Sequence, residues 1–162
     1  MIKVKIDITP YVAEYIKGKY FDPGNGCVRF PSDLDIYVMI YDLLQKRPPG
    51  CSIDTGNLEF TLPDRREANQ AGGKNPETYN YLSRRSAKQL ESKMRRMMWA
   101  ELHDYMEEMK HGEGIQFKDS AYRFLRKYDI ESISEDALLK NYQRWRDKLR
   151  RSMKRGYTFR KK

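Results

Sequence analysis

The sequence predicts an α+β protein: a small N-terminal β-α-β-α-β unit, followed by a mainly helical part with a helix-turn-helix-like corner. Three observations lead there. Residues 2–8 and 58–62 alternate apolar and polar side chains with period two, the pattern of half-buried strands. Between and after them, apolar residues recur at spacings of three and four, as in amphipathic helices. Beyond residue 76 only the helical spacing appears. The length, 162 residues, suits one domain or two small ones.

The first strand is Ile2 to Ile8. Thr9 and Pro10 then open a helix, Thr9 as N-cap and Pro10 in the first turn, where its missing N–H costs nothing. Tyr11, Val12, Tyr15 and Ile16 are its apolar stripe and Gly18 its expected stop. Asp22 to Gly26 reads as a turn and Cys27 to Phe30 as a short strand. Ser32 is the expected N-cap of the next helix, with Asp33 and Asp35 in a first turn that favours acids. Ile36, Tyr37, Ile40, Leu43 and Leu44 continue it, and Pro48-Pro49-Gly50 ends it. Leu58 to Leu62 is the third strand and closes a unit of residues 1–63, suited to assembly or partner contact.

Residues 64–75 are polar, contain Gly72-Gly73, and read as a linker. Asn75-Pro76-Glu77 predicts a helix start, with a cap, a proline and a first-turn acid in sequence. Tyr79, Leu82, Leu90, Met94, Met97, Met98, Leu102, Tyr105 and Met109 carry this helix to His111, with Gly112 as its stop. Its methionine run suggests a core or a dimer seam. Phe117, Ala121, Phe124, Leu125 and Tyr128 form the next stripe. Residues 129–133 are a connection with Ile130 and Ile133 buried. The last helix starts at Ser134, or at Ser132 paired with Glu135 as a capping box. Leu138, Tyr142, Trp145, Leu149 and Met153 fall within an arc of about 80° and are its expected buried stripe.

Charge locates the function. The chain holds 32 Lys and Arg against 23 Asp and Glu, a net charge of +9. Residues 1–63 sum to −1, residues 64–111 to +2 and residues 112–139 to −2. Residues 140–162 hold eleven bases and one acid, Asp147, so they carry +10, more than the whole excess. A basic end on a nearly neutral protein points to nucleic acid. No apolar run approaches the roughly 20 residues of a membrane span. Met1 to Pro10 lacks the apolar core of a signal peptide, so a cytoplasmic protein is expected. Two cysteines, Cys27 and Cys51, suffice for neither a disulfide framework nor a four-ligand zinc site, and no cofactor is expected.

On the last helix, Lys140, Arg144, Lys148, Arg151, Lys154 and Arg155 lie opposite the apolar stripe. A helix with one apolar and one cationic face, joined by a short connection to another amphipathic helix, has the layout of a helix-turn-helix. Lys140, Asn141, Gln143 and Arg144 in its first half are the expected base readers, because Asn and Gln can pair with adenine and Arg with guanine. Arg150, Arg151, Lys154, Arg155 and Arg160 suit phosphate neutralisation, which is independent of sequence. Tyr157 and Phe159 in the basic tail could stack on unpaired bases. Arg84, Arg85, Lys88, Lys93, Arg95 and Arg96 form a second basic cluster near the wrong end of a helix for its dipole, a second candidate phosphate contact.

Phe124-Leu125-Arg126-Lys127-Tyr128-Asp129-Ile130, Ile133 to Leu138 and Tyr142-Gln143-Arg144-Trp145-Arg146 together resemble the C-terminal helix-turn-helix of small DNA-binding proteins from phages and mobile elements. The resemblance covers under a fifth of the chain. It implies a DNA-binding regulator or accessory factor, acting on double-stranded DNA and often as a homodimer reading two half-sites. An RNA- or ribosome-associated protein would use the same cations, and a protein-interaction module could offer its basic end to an acidic partner. A metal-dependent nuclease would need acids such as Asp33, Asp35, Asp64 or Glu67, and the chain lacks a lysine two residues past Glu67. His103, Glu107 and His111 share a helix face but form too small a set for a metal site. No phosphate loop, nucleophile elbow or Cys-His pair is present, so a binding protein rather than an enzyme is expected.

Overall fold

Period-two alternation and helical spacing become a four-stranded sheet and five helices. The computed structural model describes residues 2–63 and 74–159, with side chains through Arg155. The elements are β1 (Lys3–Ile6), α1 (Pro10–Tyr20), β2 (Phe21–Asp22), β3 (Cys27–Val28), α2 (Asp35–Leu43), β4 (Leu58–Thr61), α3 (Arg84–Glu113), α4 (Phe117–Lys127) and α5 (Glu135–Phe159). The fold is thus α+β, with the sheet confined to the N-terminal part and helices dominating the rest. No helix among the described residues is long and apolar enough to cross a membrane.

The sheet order is β1-β4-β3-β2. β4 runs antiparallel to β1, with Phe60 opposite Val4 and Leu58 opposite Ile6, and parallel to β3 through Val28 and Phe60. Because side chains alternate between faces, Val4, Phe60 and Val28 lie on one face and are all buried. Lys5 and Glu59 pair on the other face. β2 was not expected. It follows directly on α1 and spans two residues, too short to show alternation.

Several helix boundaries differ from the sequence expectation, each for a local reason. α1 runs through Gly18 to Tyr20. Gly18 is required for close approach, since a Cβ there would sit 2.4 Å from the carbonyl oxygen of Tyr128. Thr9 precedes α1 without capping it by side chain; its hydroxyl donates to Glu91 of α3 instead. Ser32 is part of a turn, and Leu34 is the N-cap of α2, leaving Asp35 in the first turn. At the other end of α2, which has no basic residue in its last turn, Lys74 Nζ donates to the carbonyls of Tyr41, Asp42 and Leu44.

The helix expected from Asn75 begins at Arg84. Asn75 makes only one turn, its Oδ1 accepting from the Glu77 N–H and its carbonyl from Thr78 and Tyr79. The chain then extends so that Tyr81 can bridge Gln45. Ser83 is the first residue free to cap, and its Oγ accepts from the Ser86 N–H. At the far end Gly112 lies inside α3, and Gly114 takes the left-handed cap at φ 67°. The linker residues 64–73 lie outside the described residues.

α3 is the central spine. Leu90, Met94, Met98, Leu102 and Met106 are fully buried, and α1, α2, α4 and α5 all pack on it. One continuous core runs from Val4 to Tyr142, so residues 1–63 and 76–162 share it. The methionine run is consumed by this core, which leaves its buried face unavailable as a dimer seam.

Two carboxylates tie the corner between α4 and α5 to the rest. Glu14 of α1 accepts from the N–H groups of Glu131 and Ser132 and from the Ser132 hydroxyl. Glu101 of α3 accepts from the Tyr15 and Tyr128 hydroxyls and from Lys19. Burial pushes the Glu101 pKa up, but these hydrogen bonds outweigh it and hold the carboxyl below the usual range. The same site raises Tyr15 and Tyr128, through burial first and Glu101 second, so both keep their protons. Ser132 is thereby committed to Glu14, and Ser134 caps α5 with its Oγ accepting from the Ala137 N–H at 3.2 Å.

Candidate nucleic-acid interface

α5 changes character at Arg146. Its first three turns belong to the body. Leu138 and Tyr142 are buried, and Trp145 is half-buried with its ring stacked on His103 at 4.5 Å. Tyr142 donates to Glu107. Arg146 reaches the same carboxylate at 3.6 Å and lies over the Phe117 and Tyr142 rings. From Asp147 to Arg155 every residue is exposed. The helix continues to Phe159, so the part past the body, residues 147–159, is about 20 Å long at 1.5 Å per residue. The expected buried stripe therefore stops at Trp145. Leu149 is 40% and Met153 72% exposed, because no described element runs alongside to cover them.

The cationic face survives this correction. At 100° per residue, Lys140, Arg144, Lys148, Arg151 and Arg155 lie within an arc of about 80°, facing away from Tyr142 and Trp145. All five are exposed and none has an ion-pair partner among the described residues. Arg144, Lys148, Arg151 and Arg155 line a shallow groove of about 570 Å³ together with Asp147 and Ser152. Arg150 and Lys154 flank the stripe, Arg150 at 4.0 Å from Asp147, with both side chains mostly exposed. Arg144 and Lys148, Lys148 and Arg151, and Arg151 and Arg155 are like-charged neighbours at three- or four-residue spacing, each pair costing about 0.2–0.5 kcal/mol. An anion along the stripe relieves that repulsion.

The expected base readers divide. Gln143, Lys140 and Arg144 are exposed, whereas Asn141 sits at the seam with α3, its Oδ1 2.7 Å from His103 Nε2. Burial lowers the His103 pKa despite that hydrogen bond, so the imidazole is neutral and donates from Nε2. In sequence Asn141 stands four residues before Trp145 and three after Leu138, on the border of the apolar stripe, and that spacing marks it as a seam residue. Arg160 lies outside the described residues, as do the side chains of Tyr157 and Phe159.

The second basic cluster also divides. Arg95 donates to Glu91 and Thr9, and Lys93 to Asp35 at 3.2 Å, so both hold α3 to the N-terminal part. Arg84, Arg85, Lys88 and Arg96 are exposed. Arg84 stands about 28 Å along α3 from His103, the point where α5 docks, so the structure does not merge this cluster with the α5 stripe. Of the weaker metal candidates, His103 is spent on Asn141 and Trp145, while His111 pairs with Glu107 at 2.9 Å. No group of three metal-capable side chains occurs among the described residues, and Asp64 and Glu67 lie outside them. No family model, curated protein or solved structure matches this chain.

Proposed function

We propose that this protein binds double-stranded DNA, with the distal half of α5 lying along the major groove. The observation that carries the reading is the five-cation stripe on a helix segment that leaves the body and is open to solvent on all sides. A helix with its side chains is about 10–12 Å across, and the B-form major groove is about 12 Å wide. The deep, narrow major groove of duplex RNA does not admit a helix, which favours DNA as the duplex partner. Binding is mainly phosphate neutralisation by Lys148, Arg151 and Arg155, with Lys140 and Arg144 nearer the body. Gln143 and Arg144 are the side chains placed to read base edges, and Asn141 is assigned to the α3 seam rather than to a base. The connection from Tyr128 to Ser134 is longer than the three or four residues of a strict helix-turn-helix, so the basic helix itself carries the reading.

The test is fluorescence anisotropy with labelled duplex DNA, duplex RNA and single-stranded DNA of one sequence, with magnesium added at the end. Tightest, salt-dependent binding to duplex DNA without cleavage is expected. Preference for structured RNA, or strand scission on adding magnesium, would overturn the reading.

A further inference from the structure

Leu149 and Met153 are large apolar side chains, exposed on the α5 segment that leaves the body. A second unpartnered surface lies at the α4–α5 corner. There Tyr122, Leu125, Ile130 and Ile133 line a shallow groove of about 520 Å³. Its rim carries Glu131, Glu135 and Asp136 on the α5 side. Beside Leu149 and Met153 on α5 come Arg150 and Lys154. An apolar edge flanked by cations thus has, on the same chain, an apolar groove flanked by acids. The two cannot meet within one molecule. Glu135 and Met153 belong to one continuous helix and stand about 27 Å apart along it.

From this complementarity of charge and apolar surface we infer that the occupant of the corner groove is the α5 tip of a second copy of this chain, and the exchange is reciprocal. Two α5 helices running antiparallel bring each tip to the other's corner, so the contact closes as a two-fold pair rather than growing. Arg150 and Lys154 then face Glu131, Glu135 and Asp136, and Leu149 and Met153 cover Tyr122 and Ile133. The stripe of Arg144, Lys148, Arg151 and Arg155 points away from the Leu149–Met153 edge and stays open. The pair therefore goes beyond DNA binding and does not depend on it.

Sedimentation velocity of the full chain over a concentration series tests it, without DNA. Wild type is expected to pass from monomer to dimer and stop there. Met153→Glu, at a residue too exposed to matter for folding, is expected to stay monomeric with an unchanged circular dichroism spectrum. Arg150→Glu and Glu131→Lys should each weaken the dimer by about tenfold or more, and the two together should recover it. A wild type that stays monomeric, a Met153→Glu dimer equal to wild type, or growth past the dimer would overturn the proposal. Met153→Glu should keep the salt dependence of DNA binding, so the two readings fail separately.

Discussion

Replacing Arg144, Arg151 and Arg155 together with alanine removes three of the five stripe cations and little else. All three are exposed, and none has an ion-pair partner among the described residues, so the fold loses no contact that holds it. Each phosphate neutralised on B-DNA contributes about −0.9 to the slope of log K against log salt. Five stripe contacts give a slope of about −4.5, and the triple variant retains about −1.8. Between about 50 and 200 mM salt the wild type should lose about 500-fold in affinity and the variant only about tenfold. Anisotropy titrations against a random duplex at four salt concentrations read both slopes. Melting temperatures of the two proteins should agree closely. An unchanged slope in the variant would refute the assignment of the α5 stripe as the phosphate-binding surface.

Four other substitutions test the frame behind that surface. Gly18→Ala should destabilise by about 1–3 kcal/mol in urea unfolding, because overlap with the Tyr128 carbonyl outweighs alanine's helix propensity of about 1 kcal/mol. Trp145→Ala should cost about 2 kcal/mol, short of the value for a fully buried ring because Trp145 is half-buried, while Met153→Ala should change stability by under about 0.5 kcal/mol. Glu14, Glu91, Glu101 and Glu107 all have pKa values below the ordinary range in the folded chain. Their stabilisation is complete above the unfolded value of about 4.3 and is lost as pH falls through the folded values, so the melting temperature should drop on that acid limb. Glu101→Gln should cost about 2 kcal/mol at neutral pH and flatten the limb, and a wild-type melting temperature constant down to about pH 3 would contradict this.

Elements with long periodic patterns were legible in the sequence, and those set by distant contacts were not. β1 and β4 follow from alternation, and α4 and the start of α5 from apolar spacing and Ser134. The true start of α3 was hidden because Asn75-Pro76-Glu77 is a sound local cap, overridden by the Gln45–Tyr81 bridge from another part of the chain. Gly18 read as a helix stop because its actual constraint is the Tyr128 backbone, more than a hundred residues later. Of the site, the cationic stripe was legible from 100° geometry alone. That Leu149 and Met153 stay exposed was not, since a helical stripe looks the same whether or not a partner element extends far enough to cover it. Asn141 moved from base reader to seam because His103 lies on another helix.

Amide hydrogen exchange of residues 147–155, measured with and without a random DNA duplex, tests the central claim most directly. In the free protein this segment has no packing and carries like charges at helical spacing, so its amides should exchange far faster than those of α3 around Met98. With duplex bound, phosphates neutralise the stripe, and the account predicts strong protection confined to α5 beyond Arg146. Protection that appears on α1 or the sheet instead, with residues 147–155 unchanged, would contradict it.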